Sequence, residues 1–260
     1  MASIASPPLY QKSPIQVLDS GLLGTRHILE QARRKPFGNI IFTSTSEVYG
    51  DPPDQHIPTP ETYIGQVASY GPRSMYDESK RAAEAYCWAY RADATKSGGD
   101  LPIRIARIFN TYGPRIDVDN TSQYGRALIK FVAQAIREEP ITVYGDGKQT
   151  RSFCYVTDQI TGLFKLLLTD GVNGEVVNIG NDIETSIGDL AEKIKNISNS
   201  KSPIVYNAPP NYNIEDDPQR RCPDITKAKD ILNYSPTTTL EDGLRRTISW
   251  TRDNLEQTTK

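Results

Sequence analysis

Short apolar runs of strand length alternate along this chain with amphipathic stretches of helical length, and that alternation admits few folds other than a parallel sheet covered by helices. From Ile15 to Arg34, Leu18, Leu22 and Leu29 recur at helical spacing, the stretch ends in basic residues, and Gly38 leads into the apolar run Ile40-Ile41-Phe42. The spacing predicts a helix, a turn and a buried strand. Ser74 with Asp77 three residues on marks a second helix start, with Ala82, Ala85, Tyr86 and Ala89 as its apolar face and an end near Asp93. Pro102 to Phe109, carrying Ile103, Ile105 and Ile108, reads as the next strand, and Val176 to Ile179, bounded by Gly174 and Gly180, as a later one. Parallel sheets bind ligands beyond the carboxyl ends of their strands, so chemistry is expected just after Phe42, Phe109 and Ile179.

After Asn110 the chain changes character. Turn-rich stretches at Tyr112 to Arg115, Tyr144 to Gly147 and Asn207 to Pro218 separate short strands from amphipathic helices, which predicts a smaller lobe of loops. Leu240, Leu244, Ile248 and Leu255 share one face of a final helix, and there are no internal repeats. Gly21-Leu22-Leu23-Gly24 lies inside a helical pattern and reads as a site of close packing.

Two constellations carry the candidate chemistry. Thr43 to Gly50 places a cluster of hydroxyls and the Glu47 carboxylate directly after a predicted buried strand; the alternative is a strand end closed by turn-forming Ser and Thr. Tyr76 and Lys80 stand four residues apart, which stacks a phenol and an ammonium on one helix face. A nearby lysine charge favours the phenolate, and that lets a tyrosine act as a general base near neutral pH. The same spacing recurs at Tyr144 and Lys148, but Gly145 and Gly147 between them predict a turn. Arg151 sits in an apolar strand, where an unpaired charge is costly and recognition of an anion is the expected use. Arg115, Arg126 and Arg221 are further candidates for the planar bidentate donors that diphosphates and carboxylates prefer.

A formal net charge of -2 leaves no general electrostatic attraction for nucleic acid, so anion recognition rests on such local arginines. No apolar run approaches the ~20 residues of a membrane span. The three cysteines, Cys87, Cys154 and Cys222, are scattered and outside zinc spacing, and His27 and His56 have no partner at ligand spacing. No metal site is expected, and a reducing, cytoplasmic setting is.

The hydroxyl cluster after one strand, Tyr76 and Lys80 on the next helix, and Arg107-Ile108-Phe109-Asn110 closing the following strand together resemble the extended short-chain dehydrogenase/reductases, the NAD-dependent epimerase/dehydratase family, over nearly the whole chain. The resemblance implies NAD as cofactor and a UDP-sugar as substrate. Thr45 matches the residue that hydrogen-bonds the sugar 4-hydroxyl, Tyr76 the base, and Lys80 the ribose-binding lysine, with Ile108 among the cofactor contacts. Asn110, Arg115, Arg126, Tyr144, Arg151 and Arg221 fall on the substrate side. It also implies a homodimer through the Tyr76 helix.

Within the family, Thr45 to Pro52, Gly71 to Glu78 and Asp216 to Ile225 look most like UDP-glucuronate decarboxylases. That resemblance implies that Tyr76, assisted by Thr45, takes the 4-hydroxyl proton while the C4 hydride passes to NAD. The 4-keto sugar then loses its C6 carboxylate, with Ser46 and Glu47 positioning it or a water and Arg221 on the acid side of C5 protonation. Returned hydride gives UDP-xylose. A 4,6-dehydratase or 4-epimerase, and a non-catalytic nucleotide-sugar-binding or scaffold subunit, are the alternatives.

A dinucleotide site needs a glycine-rich turn between its first strand and helix, and none stands ahead of Tyr76. The expected architecture is therefore α/β: a partial Rossmann-like, doubly wound parallel sheet without its first βα units, with a smaller C-terminal α/β substrate-binding lobe. Residues 1–110 form the cofactor half and 111–260 the sugar-binding lobe, with 157–181 returning to the sheet.

Overall fold

A computed structural model of the chain describes residues 5, 11–35, 38–116, 127–207 and 218–258. Its centre is a three-stranded parallel sheet in the order β1-β2-β7, made by β1 (Ile40–Thr45), β2 (Ile103–Ile108) and β7 (Val176–Ile179). The register sets Thr45 beside Ile108 and Ile108 beside Ile179, so three candidate positions finish together at the carboxyl edge. Helices α1 (Pro14–Arg34) and α2 (Ser74–Lys96) cover one face, with Leu29, Ala83, Cys87, Phe42, Ile103 and Ile105 as shared core. On the opposite face α4 (Val156–Leu168) and α6 (Thr226–Leu232) bury Ala106, Val177, Ile179, Leu166 and Leu232. Alternate residues of β2 thus serve opposite layers, as the pleat requires. Helices on both faces of a parallel sheet are the doubly wound arrangement.

The two helices bury only part of the stripes that their leucines and alanines predict, Leu29 in α1 and, partly, Tyr86 in α2. In α1 the buried positions are Val17, Gly21, Thr25, Leu29 and Ala32, which leaves Leu18, Leu23 and Ile28 exposed and Ile15 at 74% exposure. In α2 they are Tyr76, Asp77, Ser79, Lys80, Ala83 and Cys87, while Ala85 and Ala89 face outward. Close packing is the cause. An added methyl at Gly21 would lie 2.6 Å from Ser79 Oγ, so the helices meet along their smallest residues rather than along their largest apolar ones.

The second lobe gathers around α3 (Ala127–Ile136), α5 (Ile187–Ser198) and α7 (Leu240–Thr258), whose apolar faces interlock through Phe131, Val132, Leu190, Ile194, Leu244 and Ile248. Short strands brace it. β4 (Ile141–Tyr144) pairs with β9 (Ile204–Asn207), β3 (Thr111–Tyr112) with β6 (Cys154–Tyr155), and β5 (Thr150–Ser152) lies between β8 (Glu184–Ser186) and β10 (Arg220–Arg221). The Tyr144 to Lys148 copy of the spacing is a turn, with Gly145 and Gly147 both at positive φ. No described helix is long and apolar enough to cross a membrane.

Candidate functional site

The strand carrying the hydroxyl cluster is longer than its apolar run predicts. Thr43, Ser44 and Thr45 still belong to β1, and a single 3-10 turn, Ser46–Tyr49, follows. Thr45 caps that turn, its Oγ1 accepting from the Glu47 amide at 3.3 Å. A short polar side chain in extended conformation at such a position satisfies an otherwise unpaired amide and fixes where the turn begins. Glu47 is thereby held at the end of the strand with its carboxylate turned inward.

Two guanidiniums grip that carboxylate. Arg221 donates Nη2 to Oε2 at 3.0 Å and Nη1 to Oε1, while Arg73 donates Nη2 to Oε2. Burial pushes the Glu47 carboxyl up, but the charges of Arg221, Arg73 and Arg151 outweigh it and hold the group below the usual carboxylate range. Arg221 reaches the site because β10 runs parallel beside β5, with Arg221 opposite Arg151. Arg151 is itself buried and donates Nη1 to the carbonyls of Thr150 at 2.8 Å and Gln219 at 3.3 Å. The Asn110 side-chain amide donates to the carbonyl of Ser152, the residue after Arg151, at 3.3 Å.

Arg73 and Asp77 are residues that reading the chain does not pick out as site members. The helix begins at Ser74 with no side-chain cap, and Ser74 Oγ donates to the Gly71 carbonyl at 2.8 Å. Asp77 is therefore not the capping partner its spacing suggests. It is buried, its Oδ2 lies 3.7 Å from Arg73 Nε, and burial pushes its carboxyl up to about 7, helped by the nearby Glu47 charge. The i, i+4 pairing of Arg73 with Asp77 is the sequence signal that marks the pair.

Tyr76 and Lys80 stand one turn apart on the same buried face of α2. Tyr76 packs against Val17 and Met75. Lys80 Nζ donates to the Thr43 carbonyl at 2.8 Å, and lies 5.1 Å from the Phe42 ring centre and 5.9 Å from that of Tyr76. Burial lowers its amine to about 8, against the pull of Glu84. A positive charge so placed favours the phenolate of a neighbouring tyrosine. One of its three protons is committed to Thr43, which leaves two to donate to a bound hydroxyl.

The remaining candidates separate. Ser46 is buried beside Glu47, and Ile108 sits in register between Thr45 and Ile179. Tyr144 ends β4 in the second lobe, its hydroxyl accepting from Lys130 Nζ at 2.6 Å. Arg115 is exposed in a turn with φ 67°. Arg126, and Asp216 and Asp217 at the start of the run that ends at Ile225, lie outside the described residues. No group of three or more His, Cys, Asp or Glu side chains able to hold a metal occurs among the described residues.

Beneath the site runs a buried polar network. Glu84 accepts from Ser44 Oγ at 2.5 Å and, through both oxygens, from Arg107 at 3.0 and 2.7 Å. Arg107 Nη1 also donates to Tyr49 Oη at 2.9 Å, and Tyr49 donates to Asn178 Oδ1 at 2.7 Å. The network ties the β1 end, α2, β2 and β7 into one unit.

A parallel sheet wound by helices on both faces, with Thr45 at the carboxyl end of β1 and Lys80, one turn from Tyr76, bonded to the same strand at Thr43, is the arrangement of a short-chain dehydrogenase/reductase fold. The model of the NAD dependent epimerase/dehydratase family matches residues 1–180, and the chain belongs to that family. It is 43% identical over 255 residues to UDP-glucuronic acid decarboxylase 1 of Arabidopsis thaliana, an alignment covering 98% of this chain and 54% of that protein. The decarboxylase 1 of Xenopus tropicalis is also 43% identical, with 98% and 56% covered. The chain thus spans about half the length of these curated relatives. Among solved structures, UDP-glucose 4-epimerase of Thermotoga maritima with UDP-glucose superposes with a TM-score of 0.84 at 27% identity, over 98% of this chain and 76% of that one. UDP-glucuronic acid 4-epimerase of Bacillus cereus in complex with UDP-glucuronic acid and NAD gives 0.76 at 29%, over 92% and 69%.

Proposed function

We propose that this chain carries the proton-transfer and sugar-binding machinery of an NAD-dependent UDP-glucuronate decarboxylase, a lyase that yields UDP-xylose. The observation that carries the reading is the Glu47 carboxylate clamped by Arg221 and Arg73 at the strand end that also bears Thr45. Paired guanidiniums in a buried setting are suited to a sugar carboxylate, a group that neutral hexoses lack. The 43% identity to decarboxylases supports the same choice. Residues 1–110 would serve the cofactor, and 111–260 the sugar, with 157–181 belonging to the central sheet.

The residues present fit the nicotinamide-ribose end of NAD: Lys80 has donors to spare for ribose hydroxyls, and Ile108 offers an apolar strand end beside Thr45. When bound, that cofactor supplies the acceptor and later the donor of the C4 hydride. Tyr76, with Lys80 favouring its phenolate, takes the proton of the 4-hydroxyl, and Thr45 orients that hydroxyl. Oxidation at C4 leaves the C6 carboxylate β to a ketone, so the electrons of the breaking C5–C6 bond have a sink and carbon dioxide departs. Arg221 and Arg73 orient the carboxylate before it leaves. Arg221 then stands on the acid side of the protonation that C5 requires, with Ser46 and Glu47 positioning the carboxylate or a proton-relaying water. Asn110, Arg151 and Arg115 serve the diphosphate side, with Arg126 and Tyr144 as further sugar-nucleotide contacts.

The exposed apolar positions Ile15, Leu18, Leu23 and Ile28 on α1 and Trp88 on α2 support a homodimer formed through these helices. Buried free cysteines support a reducing, cytoplasmic setting. The test is carbon dioxide release from UDP-[6-13C]glucuronate in the presence of NAD, followed by NMR. With a glycine-rich cofactor half supplied ahead of residue 1, the reading expects release, and a loss of roughly a hundredfold or more in Tyr76→Phe; full turnover by that variant sinks the assignment of the base.

A further inference from the structure

Arg221 reaches Glu47 from a strand of two residues, and much of what holds that strand in place lies outside it. β10 pairs with β5 at Arg220 opposite Thr150 and at Arg221 opposite Arg151. Beyond Arg221 the chain is gripped by Thr59, a buried residue of the segment between the Glu47 turn and α2. The Thr59 amide donates to the Cys222 carbonyl at 2.8 Å, and the Asp224 amide donates to the Thr59 carbonyl at 3.0 Å. The pairing of Thr59 with Pro223 is an isolated bridge, and so short a ladder is marginal without support.

Asn178 supplies that support. It is fully buried in β7, and every polar atom of its side chain is engaged. Nδ2 donates to the carbonyls of Thr59 at 2.9 Å and Asp224 at 3.0 Å, while Oδ1 accepts from Tyr49 Oη at 2.7 Å. Its backbone amide donates to Glu61 Oε1 at 2.8 Å. Thr59 and Glu61 follow Glu47 in the chain, and Asp224 follows Arg221. The two protons of a primary amide diverge from one nitrogen at a fixed angle, so the two carbonyls they meet are held at a set separation. One side chain of the central sheet thus ties the segment after Glu47 to the segment after Arg221.

We propose that Asn178 is a positioning residue for the carboxylate clamp: through the carbonyls of Thr59 and Asp224, its side-chain amide sets where Arg221 meets Glu47, and with it the preference of the site for a sugar that bears a carboxylate. The donor half of the amide has this role; the acceptor half, turned to Tyr49, does not. Paired guanidinium–carboxylate contacts depend on both partners lying in register, which makes them sensitive to small shifts of the strand that carries the arginine. The proposal rests on the reading that the clamp faces the carboxylate of a UDP-hexuronate.

The experiment is calorimetric binding of UDP-glucuronate and of UDP-glucose, in parallel, to the full chain and its variants. The two ligands share the nucleotide and both phosphates, so the ratio of their dissociation constants isolates the carboxylate, and a general loosening of the fold weakens both without moving the ratio. The wild type is expected to prefer UDP-glucuronate. Asn178→Asp keeps the size of the side chain and an acceptor for Tyr49 but turns an ionised oxygen toward the two carbonyls; it is expected to lose about tenfold of the preference, the scale of one hydrogen bond to a charged group. Asn178→Ser, too short to span both carbonyls, should lose a similar share. Tyr49→Phe leaves both donors in place and is expected to keep the wild-type ratio even as it lowers stability. An unchanged ratio in either Asn178 variant, or an equal fall in Tyr49→Phe, overturns the proposal while the substrate reading stands. Failure of both Asn178 variants to fold overturns it as well, since the amide would then serve the fold as a whole and not the clamp. A wild-type chain with equal affinity for the two sugars, or with none for either, overturns the substrate reading and the proposal with it.

Discussion

Glu47 and Arg221, 174 residues apart in the chain, meet with both carboxylate oxygens engaged by both terminal nitrogens of the guanidinium. The paired geometry belongs to arginine alone, because a lysine ammonium is a point donor that cannot span two oxygens. Arg221→Lys is therefore expected to keep the local charge yet lower turnover of UDP-glucuronate by about 10- to 100-fold, on the order of 1.4–2.7 kcal/mol in barrier. Glu47→Gln leaves buried guanidiniums short of a counter-charge and should lower stability by on the order of 3 kcal/mol. Steady-state kinetics for the first and urea midpoints for the second check these outcomes.

Lys80 makes the stability of the chain depend on pH in a defined direction. Its amine titrates at about 8 in the fold and near ~10.4 when unfolded. Between those values the unfolded chain binds more protons, so this group's contribution to unfolding free energy rises with pH there, and below pH 8 its cost is fully present. Burial pushes the thiols of Cys87, Cys154 and Cys222 up, and these act in the opposite sense. Comparison with Lys80→Met cancels them. The stability difference should move in favour of the wild type as pH rises from 8 to about 10; urea unfolding at both pH values tests it, and a constant difference would contradict the assignment.

Gly21 is a contact point rather than a hinge. A methyl there would meet both Oγ and Cβ of Ser79, at 2.6 and 2.7 Å, so α1 must retreat from α2. Gly21→Ala should cost about 1–3 kcal/mol, as overpacking generally does. Because the Ser79 Cβ is itself too near, Ser79→Ala should not restore stability, whereas Ser79→Gly should. Thermal unfolding of the two double variants distinguishes them.

Tyr49→Phe separates the scaffold from the chemistry. The change strips Asn178 Oδ1 of its donor and Arg107 of an acceptor in a buried network. An unsatisfied buried group costs about 1–3 kcal/mol, so a fall in melting temperature is expected. Turnover at 20 °C should change little, since Tyr49 bonds to Arg107 and Asn178 of the sheet rather than to Glu47, Tyr76 or Lys80.

The strands and helices of the central sheet were legible in the chain because apolar runs and glycine punctuation are local signals, and Ile103 to Ile108 and Val176 to Ile179 are found where those signals put them. Which face each helix buries was legible only in part, through Leu29 in α1 and through Tyr76 and Lys80 in α2. Leu18 and Leu22 mark an apolar stripe, yet packing is decided by the small residues Gly21, Ser79 and Ala83, and hydrophobicity is silent about closeness of approach. Tyr76 and Lys80 could be placed on one face by spacing alone. Asp77 reads falsely as a cap, because a carboxylate three residues after a serine looks like one until its ion pair with Arg73 and the like charge of Glu47 brought beside it by the fold are known. The network of Glu84, Arg107, Tyr49 and Asn178 was invisible for the same reason: its members are drawn from four elements.

Arg220 and Arg221 are the same amino acid written twice, and β10 sends them to different places. Arg220 pairs with Glu184 and Asp54, whereas Arg221 crosses to Glu47. Neighbours in a strand point to opposite sides, so adjacency in the chain becomes opposition in space. A gene that encodes this pair therefore carries no redundancy. Deleting either codon would leave one arginine and one vacant side, and a slip of the pairing by a single position would exchange their addresses without changing the composition of the protein at all.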